Sequence, residues 1–549
     1  MEGGVRNWRD PVKQPKSGRV VSYKPEAKSS DACRESEGAV VPLIDAQENV
    51  SGGKGLWGRR DGEEGKHEGM VVQRPNHPAA YRCSDKVRQL RNRLWVAAKR
   101  DAGRRFHALY DRIYRSDVLW EAWRRVRANG GAAGVDRETI AAVEEYGVVR
   151  LIDELQGILR AGRYRPLAVL RRYIPKPDGR KRPLGIPAVR DRIVQMATKL
   201  VLEPLFEADF KGSSYGFRPK RDATQALEAI RVLVNAGNNH VLDADIQDFF
   251  GSIDFGILME RMRQRISDRR VLKLVEQWLK AGVLEEGVLH RSETGVPQGG
   301  VISPLLSNIY LDALDARMEE HPEAGALVRY ADDFVVVCKT RTQCEKVKAM
   351  VHSILGALKL TLHPEKTRMV ELTDGKEGFD FLGCHLHKRV SGAILQRHGR
   401  RCYYLHRWPS QRSMKRCRTR VRELTDARRN AGRDIVEVIK TVNPVLRGWG
   451  NYFRTGNATQ KFLKMDTYVW QRLRRIKLRK YGRNLRPNMA SQWSREFFYN
   501  LGLHRLRGTV RYPQPSKVYQ ESLPVSRVRE NRTHGLIGGF TEIPAMEGM

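Results

Sequence analysis

Residues Ala326 to Lys339 (ALVRYADDFVVVCK) place two β-rich, largely apolar runs on either side of Ala331-Asp332-Asp333. The runs read as buried strands and the segment between them as a tight hairpin turn. Adjacent carboxylates at such a turn are costly, because they repel each other and are partly desolvated by their apolar flanks. Any fold built on this hairpin must therefore bring positive charge to the turn. A second apolar strand, His240 to Ile246 (HVLDADI), ends at Asp243 and Asp245 and is followed by the aromatic pair Phe249 and Phe250. Three converging carboxylates without His or Cys partners suit a hard, oxygen-preferring divalent ion such as Mg²⁺. Two such ions, roughly 3.5–4 Å apart, form the clamp used for in-line nucleotidyl transfer.

The charge balance points the same way. The chain has 549 residues, 100 Lys plus Arg against 63 Asp plus Glu, and a net charge of +37. An excess of that size implies a polyanionic partner, nucleic acid being the obvious one. The excess is unevenly spread. Residues 1–80 carry 13 basic and 12 acidic side chains, whereas residues 388–485 carry 27 basic and 5 acidic ones. A phosphate backbone is expected along the second segment.

Length and a 40% hydrophobic content predict several structured units with real cores. No apolar run approaches the ~18–20 residues of a membrane span, and Met1 to Asp10 lacks the apolar stretch of a secretory signal, so a soluble cytoplasmic protein is expected, nucleoid-associated or not. The seven Cys are scattered and never fall as C-x-x-C, which argues against a disulfide framework or a Cys-rich zinc module.

Along the chain, residues 1–80 are rich in Gly and Pro, lack periodicity and read as a disordered extension. Helical spacing begins after Tyr81, with Leu90, Leu94, Trp95 and Ala98, then Phe106, Leu109, Tyr110 and Ile113. Arg172 to Ile186 (RYIPKPDGRKRPLGI) reads as a hairpin with Lys176, Arg180, Lys181 and Arg182 crowded at its tip, an arrangement suited to clamping an anion. Cys384, His385 and His387 alternate along a strand and read as ordinary strand side chains, with no fourth ligand at zinc-like spacing. Trp408, Trp449, Trp470 and Trp493 read either as core or as platforms for unpaired bases.

These blocks carry a resemblance. Tyr330-Ala331-Asp332-Asp333 resembles the tyrosine-x-aspartate-aspartate turn of reverse transcriptases, and Gly295 to Leu306 (GVPQGGVISPLL) resembles the loop and helix that precede it. Arg172 to Ile193 is similar to the fingers hairpin, Tyr215 to Leu227 to the next block, and Asp243 to Ile253 to the first palm strand. Leu360 to Thr367 (LTLHPEKT) is similar to the strand after the turn, and Phe379 to Cys384 (FDFLGC) to the final palm hairpin. Asn443 to Phe453 (NPVLRGWGNYF), with the basic helix Phe462 to Lys480, resembles the maturase or thumb domain of group II intron-encoded reverse transcriptases. Ala108 to Asp136 is similar to that family's amino-terminal extension.

The resemblance implies an α+β right-hand polymerase, fingers and palm over residues 151–385, followed by an all-helical basic thumb/maturase domain over 386–485. A helical RNA-binding extension over 81–150 precedes it, and a basic segment over 486–549 follows, suited to DNA binding. It implies that Asp245, Asp332 and Asp333, with the Ile246 carbonyl, hold two Mg²⁺ ions, for which Mn²⁺ can substitute. Lys176 and Arg182 would grip the incoming deoxynucleoside triphosphate, Gln298 would lie against its sugar, and Phe250 would exclude a 2′-hydroxyl. Arg447, Arg472, Arg474 and Arg475 are the cations expected on RNA. The implied activity is RNA-directed DNA polymerisation, with binding of the chain's own group II intron RNA to assist splicing and mobility, an RNA template, a DNA primer and a DNA target as further partners, and no membrane. Two alternatives stay open: a reverse transcriptase of a defence or diversification system, and a splicing-only RNA-binding maturase. The sequence departs from the family pattern at Gln247 and Asp248, where a cation and a small residue are usual, and at Gly251, where Asp is common. Many relatives carry a carboxy-terminal His-Asn-His endonuclease with Cys pairs, but no Cys follows Cys417 and only His504 and His534 lie beyond the thumb, so that module is expected to be absent.

Overall fold

The computed structural model describes residues 78–175, 181–290, 294–430, 432–482, 486 and 488–512. The expected disorder of residues 1–80 therefore falls almost wholly outside the described residues, as does most of 486–549.

A four-stranded sheet lies at the centre, built from β3 (His240–Ala244), β6 (Ala326–Tyr330), β7 (Asp333–Cys338) and β8 (Arg368–Glu371) in the order β6-β7-β3-β8. All its pairings are antiparallel. Along β7, Phe334, Val336 and Cys338 enter one hydrophobic cluster while Val335 and Val337 enter another. Burial on both faces explains why this strand reads as an unbroken apolar run rather than an alternating one. The first cluster joins the amino-terminal helices to the Ser303–Glu320 and Arg341–Ala357 helices. The second joins the Ala223–Asn235 helix to a third sheet and to the carboxy-terminal helices.

A second sheet carries β1 (Val169–Pro175) and β2 (Lys181–Ile186) as an antiparallel hairpin, extended through β4 (Val283–Glu285) and β5 (Val288–His290). The turn of the hairpin, residues 176–180, lies outside the described residues, and with it Lys176 and Arg180.

The Arg269–Lys280 helix shows how local sequence builds these walls. It buries Val271, Leu274, Val275, Trp278 and Leu279, a stripe at i, i+3, i+4, i+7 and i+8. Asp268 caps it by accepting from the Arg270 and Val271 N–H groups, and its other oxygen accepts from Leu109 and Tyr110. The central Val189–Glu207 helix is buried almost all round.

The structure redraws three sequence expectations. The helical pattern after Tyr81 breaks at Asp101, whose side chain accepts from the Gly103 N–H, and Phe106 bridges Ile266 instead of continuing a helix. Trp95 is exposed while Leu90, Leu94 and Ala98 are buried. The strand expected in Leu360 to Thr367 begins later, at Arg368, because Pro364 has no N–H to donate and only Leu362 bridges Ile246. Finally, residues 386–409 are not yet a helical bundle. Apart from the short helix Gly392–His398, they complete a sheet of β9 (Gly378–Phe381), β10 (Cys384–Val390) and β11 (Tyr403–Pro409), with the period-2 burial of CHLHKRV marking a strand.

The helical bundle starts at Gln411, with Gln411–Leu424, Ile435–Phe453 and Thr459–Tyr481. Aromatic rings flank its largely aliphatic core: Trp449 packs on Phe453 and Phe462, and Trp470 donates to the Trp493 carbonyl at 2.9 Å. Arg472 is spent inside the bundle. Its guanidinium donates to Thr425 Oγ1 (3.0 Å) and to the carbonyls of Thr425 (2.9 Å) and Arg422 (3.1 Å), satisfying the carboxy end of the Gln411–Leu424 helix.

Two measurements follow from this packing. Arg472→Ala should destabilise the chain by about 1–2 kcal/mol in chemical denaturation, since it removes charge-assisted bonds from helix-end carbonyls, while Arg475→Ala, at an exposed position, should stay within about 0.5 kcal/mol. The second concerns Asp191, which is 4% exposed. It accepts from the Tyr164 hydroxyl at 2.6 Å and the Leu167 N–H at 3.0 Å, yet burial outweighs both and pushes its carboxyl up to about 6. The folded chain thus holds this proton more tightly than the unfolded one, so the contribution is full below about pH 4 and is lost as pH rises through about 6. The stability difference between wild type and Asp191→Asn should change by an amount on the order of 2–3 kcal/mol between pH 4 and 7, in favour of the variant at the higher pH.

Candidate active site

The turn between β6 and β7 is closed by the pair Tyr330↔Asp333, leaving Ala331 and Asp332 as its two loop residues. Ala331 takes a left-handed φ of 59°, which a side-chain-bearing residue adopts only when its surroundings hold it there. Gly216 packs against it so closely that a Cβ at that position would lie 2.3 Å from the Ala331 nitrogen. Tyr330 is buried and packs on Phe217 with ring centroids 6.3 Å apart.

β3 runs antiparallel to β7 with Asp243 opposite Val335 and Ala244 opposite Phe334. One further step of that register sets Asp245 opposite Asp333, so the residues expected to hold metal share one end of the central sheet. Beyond β3 the Gln247 N–H donates to Thr361 and the His363 N–H donates to the Asp245 carbonyl. Neither bond uses the Ile246 carbonyl.

The electrostatics register the crowding. Desolvation raises the Asp333 carboxyl above its ordinary value, repulsion from Asp332, Asp245 and Asp243 adds to the rise, and Lys366 opposes it. Asp332 is raised mainly by desolvation and secondarily by Asp245, against its own backbone N–H, Arg182 and Arg329. Two cations answer from the Pro364 turn and β8: Lys366 Nζ lies 2.7 Å from Asp245, and Arg368 Nε lies 3.1 Å from Asp243. With Asp245 turned to Lys366, no three His, Cys, Asp or Glu side chains among the described residues converge into a ready-made ion cage. The donor chemistry nonetheless fits a hard divalent ion: the groups are carboxylates, they repel one another, and the positive charge now relieving Asp245 comes from a half-exposed lysine that can withdraw.

Of the four expected nucleotide contacts, three are joined by a chain of bonds. Arg182 Nε donates to Gln298 Oε1 at 2.8 Å, and Arg182 also acts on Asp332. The Gly185 N–H donates to the Gln298 carbonyl at 2.6 Å, and a Cβ at Gly299 would lie 2.8 Å from the Gly185 carbonyl, so the Pro-Gln-Gly loop seats directly on β2. The same loop reaches Phe250, whose carbonyl accepts from Val296 at 2.8 Å, and the half-buried Phe250 ring sits edge-on to Phe249 at 5.2 Å. Lys176, the fourth, lies outside the described residues.

The unusual residues after Asp245 prove to be close neighbours. Asp248 has a left-handed φ of 38°, and a Cβ at Gly251 would lie 2.2 Å from its carboxylate. In this arrangement the Asp248 carboxylate lies where a side chain at 251 would go, so a larger residue at 251 would require that exposed carboxylate to swing aside.

Of the cations expected on RNA, Arg447 and Arg475 are exposed, Arg474 lies 5.6 Å over the Trp470 ring, and Arg472 is the helix-capping residue already described. Trp408 is the one of the four tryptophans set on a sheet face, between His385 and His387 and under Arg389. His385 is held by Asp380 at 2.7 Å and Cys384 is buried, as expected of strand side chains.

Sequence reading missed two residues here. Lys366 was hidden in a segment taken for strand. Arg329 was hidden by its apolar surroundings, although a lone Arg inside ALVRYADDFVVV is itself a signal that a buried cation needs partners.

Residues 174–386 match the reverse transcriptase (RNA-dependent DNA polymerase) family, and residues 414–493 match the group II intron maturase-specific domain. Protein YkfC of Escherichia coli (strain K12) is 36% identical over 348 residues, which covers 56% of this chain and 89% of YkfC. The group II intron-encoded protein LtrA of Lactococcus lactis subsp. cremoris is 30% identical over 355 residues, 53% of this chain and 58% of LtrA. A 91 kDa protein in the cob intron of Schizosaccharomyces pombe is 25% identical over 487 residues, 76% of this chain and 59% of that protein. The chain thus spans less than two thirds of the last two relatives. A polymerase-type central sheet bearing carboxylates at one end, followed by a basic helical domain, agrees with both matches, and the chain belongs to the group II intron-encoded reverse transcriptases that carry a maturase-specific domain.

Proposed function

We propose that this chain copies RNA into DNA at the carboxylate end of its central sheet and uses its basic helical domain to bind group II intron RNA, assisting splicing and mobility. The observation that carries the polymerase reading is the crowding of Asp245, Asp332 and Asp333 at one end of the central sheet beside Arg182, where mutually repelling carboxylates call for a divalent cation and an anionic substrate. Asp245, Asp332 and Asp333, with the Ile246 carbonyl, would hold two Mg²⁺ ions. Bound there, such ions lower the pKa of an attacking 3′-hydroxyl and neutralise the triphosphate.

The remaining work falls to this chain's own side chains. Arg182, half-buried and oriented by Gln298, meets the phosphates of a deoxynucleoside triphosphate, and Lys176 is assigned to the same phosphates. Gln298 lies against the sugar. Phe250, fixed through its backbone to the loop that carries Gln298, fills the space of a 2′-hydroxyl and so excludes ribonucleotides by contact. The exposed Arg447 and Arg475, and Arg474 beside Trp470, offer phosphate contacts to intron RNA without disturbing the bundle. An RNA template, a DNA primer and a target DNA complete the set of partners. Among the described residues no helix is long and apolar enough to cross a membrane, and we place the activity in a bacterial-type cytoplasm.

Asp332→Asn should lower primer extension on an RNA template by roughly 10²–10³-fold or more while intron RNA affinity stays within twofold, because charge is lost at the reaction centre and the RNA surface is untouched. Extension at the wild-type rate would refute the assignment. Phe250→Ala should raise ribonucleotide incorporation relative to deoxynucleotides by at least about tenfold in single-nucleotide extension assays. Unchanged discrimination would remove the ring from the selection step.

A further inference from the structure

We propose that Arg329 is a positioning residue for the acidic turn: its buried guanidinium fixes the peptide plane on which Asp332 is carried. This rests on the polymerase reading above and adds to it the question of what aims the carboxylates.

Arg329 is 0% exposed and sits in β6 between Val328 and Tyr330. Its Nε donates to Asp315 Oδ1 at 2.7 Å, and Nη2 pairs with Asp315 Oδ2, so one carboxylate grips the guanidinium along an edge. That grip turns Nη1 toward the turn, where it donates to Asn308 Oδ1 at 3.1 Å and to the Ala331 carbonyl at 2.8 Å. Asn308 and Asp315 are seven residues apart on the Ser303–Glu320 helix, two turns, and hence on one face. Asn308 also donates to the Gly216 carbonyl at 2.9 Å, tying down the residue that packs against the Ala331 nitrogen. The backbone of Arg329 is bound as well, its N–H donating to Ser213 and its carbonyl accepting from Tyr215, both at 2.8 Å.

The mechanical consequence follows from peptide geometry. The Ala331 carbonyl and the Asp332 nitrogen lie in one rigid plane. A bond that fixes the carbonyl oxygen fixes the direction in which the chain enters Asp332, and Asp333 follows as the first residue of β7. The left-handed φ of Ala331 makes an external support necessary, because that conformation is held by its surroundings and not by intrinsic preference. Filling the space under the turn does not require a cation. An apolar side chain of similar volume would avoid the desolvation of a buried ion pair. What it could not do is donate to Ala331 while being held by Asp315, and a planar fork with several fixed donors does both. The Ser303–Glu320 helix starts where the loop of Gln298 ends, so the same helix that anchors Arg329 also sets the nucleotide loop.

The test compares Arg329→Lys with wild type in the full chain. Lysine keeps the charge and can pair with Asp315, but a single ammonium cannot reproduce the fork that joins Asp315, Asn308 and Ala331. Turnover at saturating primer and deoxynucleotide should fall at least tenfold, the deoxynucleotide KM should stay within twofold, and Mn²⁺ binding followed by electron paramagnetic resonance should weaken severalfold. A buried control in a neighbouring helix, Val347→Ala, should cost a comparable part of thermal stability and leave turnover within twofold. Wild-type turnover and Mn²⁺ affinity in Arg329→Lys would overturn the proposal, as would equal losses of turnover in Val347→Ala. Should Arg329→Lys not fold, Asn308→Ala carries the same criteria, since it removes the bonds to Nη1 and to the Gly216 carbonyl that hold the fork and the turn in register while leaving the Asp315 pair in place. A wild-type chain that extends primers and loses this on Asp332→Asn, with Arg329→Lys unaffected, would sink the positioning role and leave the polymerase reading standing. No extension by wild type would sink both.

Discussion

Burial of the β6–β7 hairpin on both faces is the constraint from which the site is built. A strand whose two sides both face core can carry a polar side chain only at its ends or, as with Arg329, fully partnered, and the chain puts Asp332 and Asp333 at one end of this hairpin. The register with β3 then sets Asp245 opposite Asp333 without any further device. Crowding the carboxylates at that end makes them expensive, and the cost is met by cations drawn from three directions: Arg182 from the outer hairpin, Lys366 from the Pro364 turn, and Arg329 from inside β6. Of these, only Arg329 is fully enclosed. The other two are partly open, as groups must be if they are to exchange protein carboxylates for a substrate's phosphates or give way to an ion.

Much of this was legible because side-chain pattern and chemistry coincide. The Val run announced a doubly buried strand, the Asp pair announced a turn under electrostatic strain, and HVLDADI announced its partner. What stayed hidden was hidden for physical reasons. Phe106 has helical spacing from Leu109 and Tyr110, but an aspartate three residues after Ala98 caps the chain locally and hands Phe106 to a bridge with Ile266. Residues 386–409 carry enough Arg and Lys to be grouped by charge with the basic helices, yet their alternation of buried and half-buried side chains belongs to a sheet. The closeness of Asp248 to Gly251 depends on a left-handed backbone at 248, and positive φ at a non-glycine residue leaves no mark in composition or periodicity.

Net charge is a poor count of nucleic-acid contacts, and the helical domain shows why. Segment 388–485 carries 27 basic side chains, but several are consumed by the fold. Arg472 closes a helix end. Arg407, 3% exposed, reaches the Thr455 carbonyl at 3.0 Å and lies 3.6 Å from Glu228, joining β11 to the bundle and to the Ala223–Asn235 helix. Lys388 is buried against Asn239. Such residues raise the potential over the surface without being free to touch a phosphate, so they steer an approaching polyanion more than they hold it.

Arg329 and Arg472 are therefore two versions of one solution. Each is a guanidinium whose donors are turned onto backbone carbonyls that secondary structure leaves without a partner, one at a strained turn and one at a helix terminus. The difference lies in what the carbonyl is attached to. At Thr425 the next residues only connect two helices, so the bond contributes stability. At Ala331 the next residue is Asp332, one peptide plane away, so the same kind of bond also determines where a charge points. A buried cation under a turn of carboxylates is thus best understood by following the donor to its acceptor and the acceptor to its neighbour.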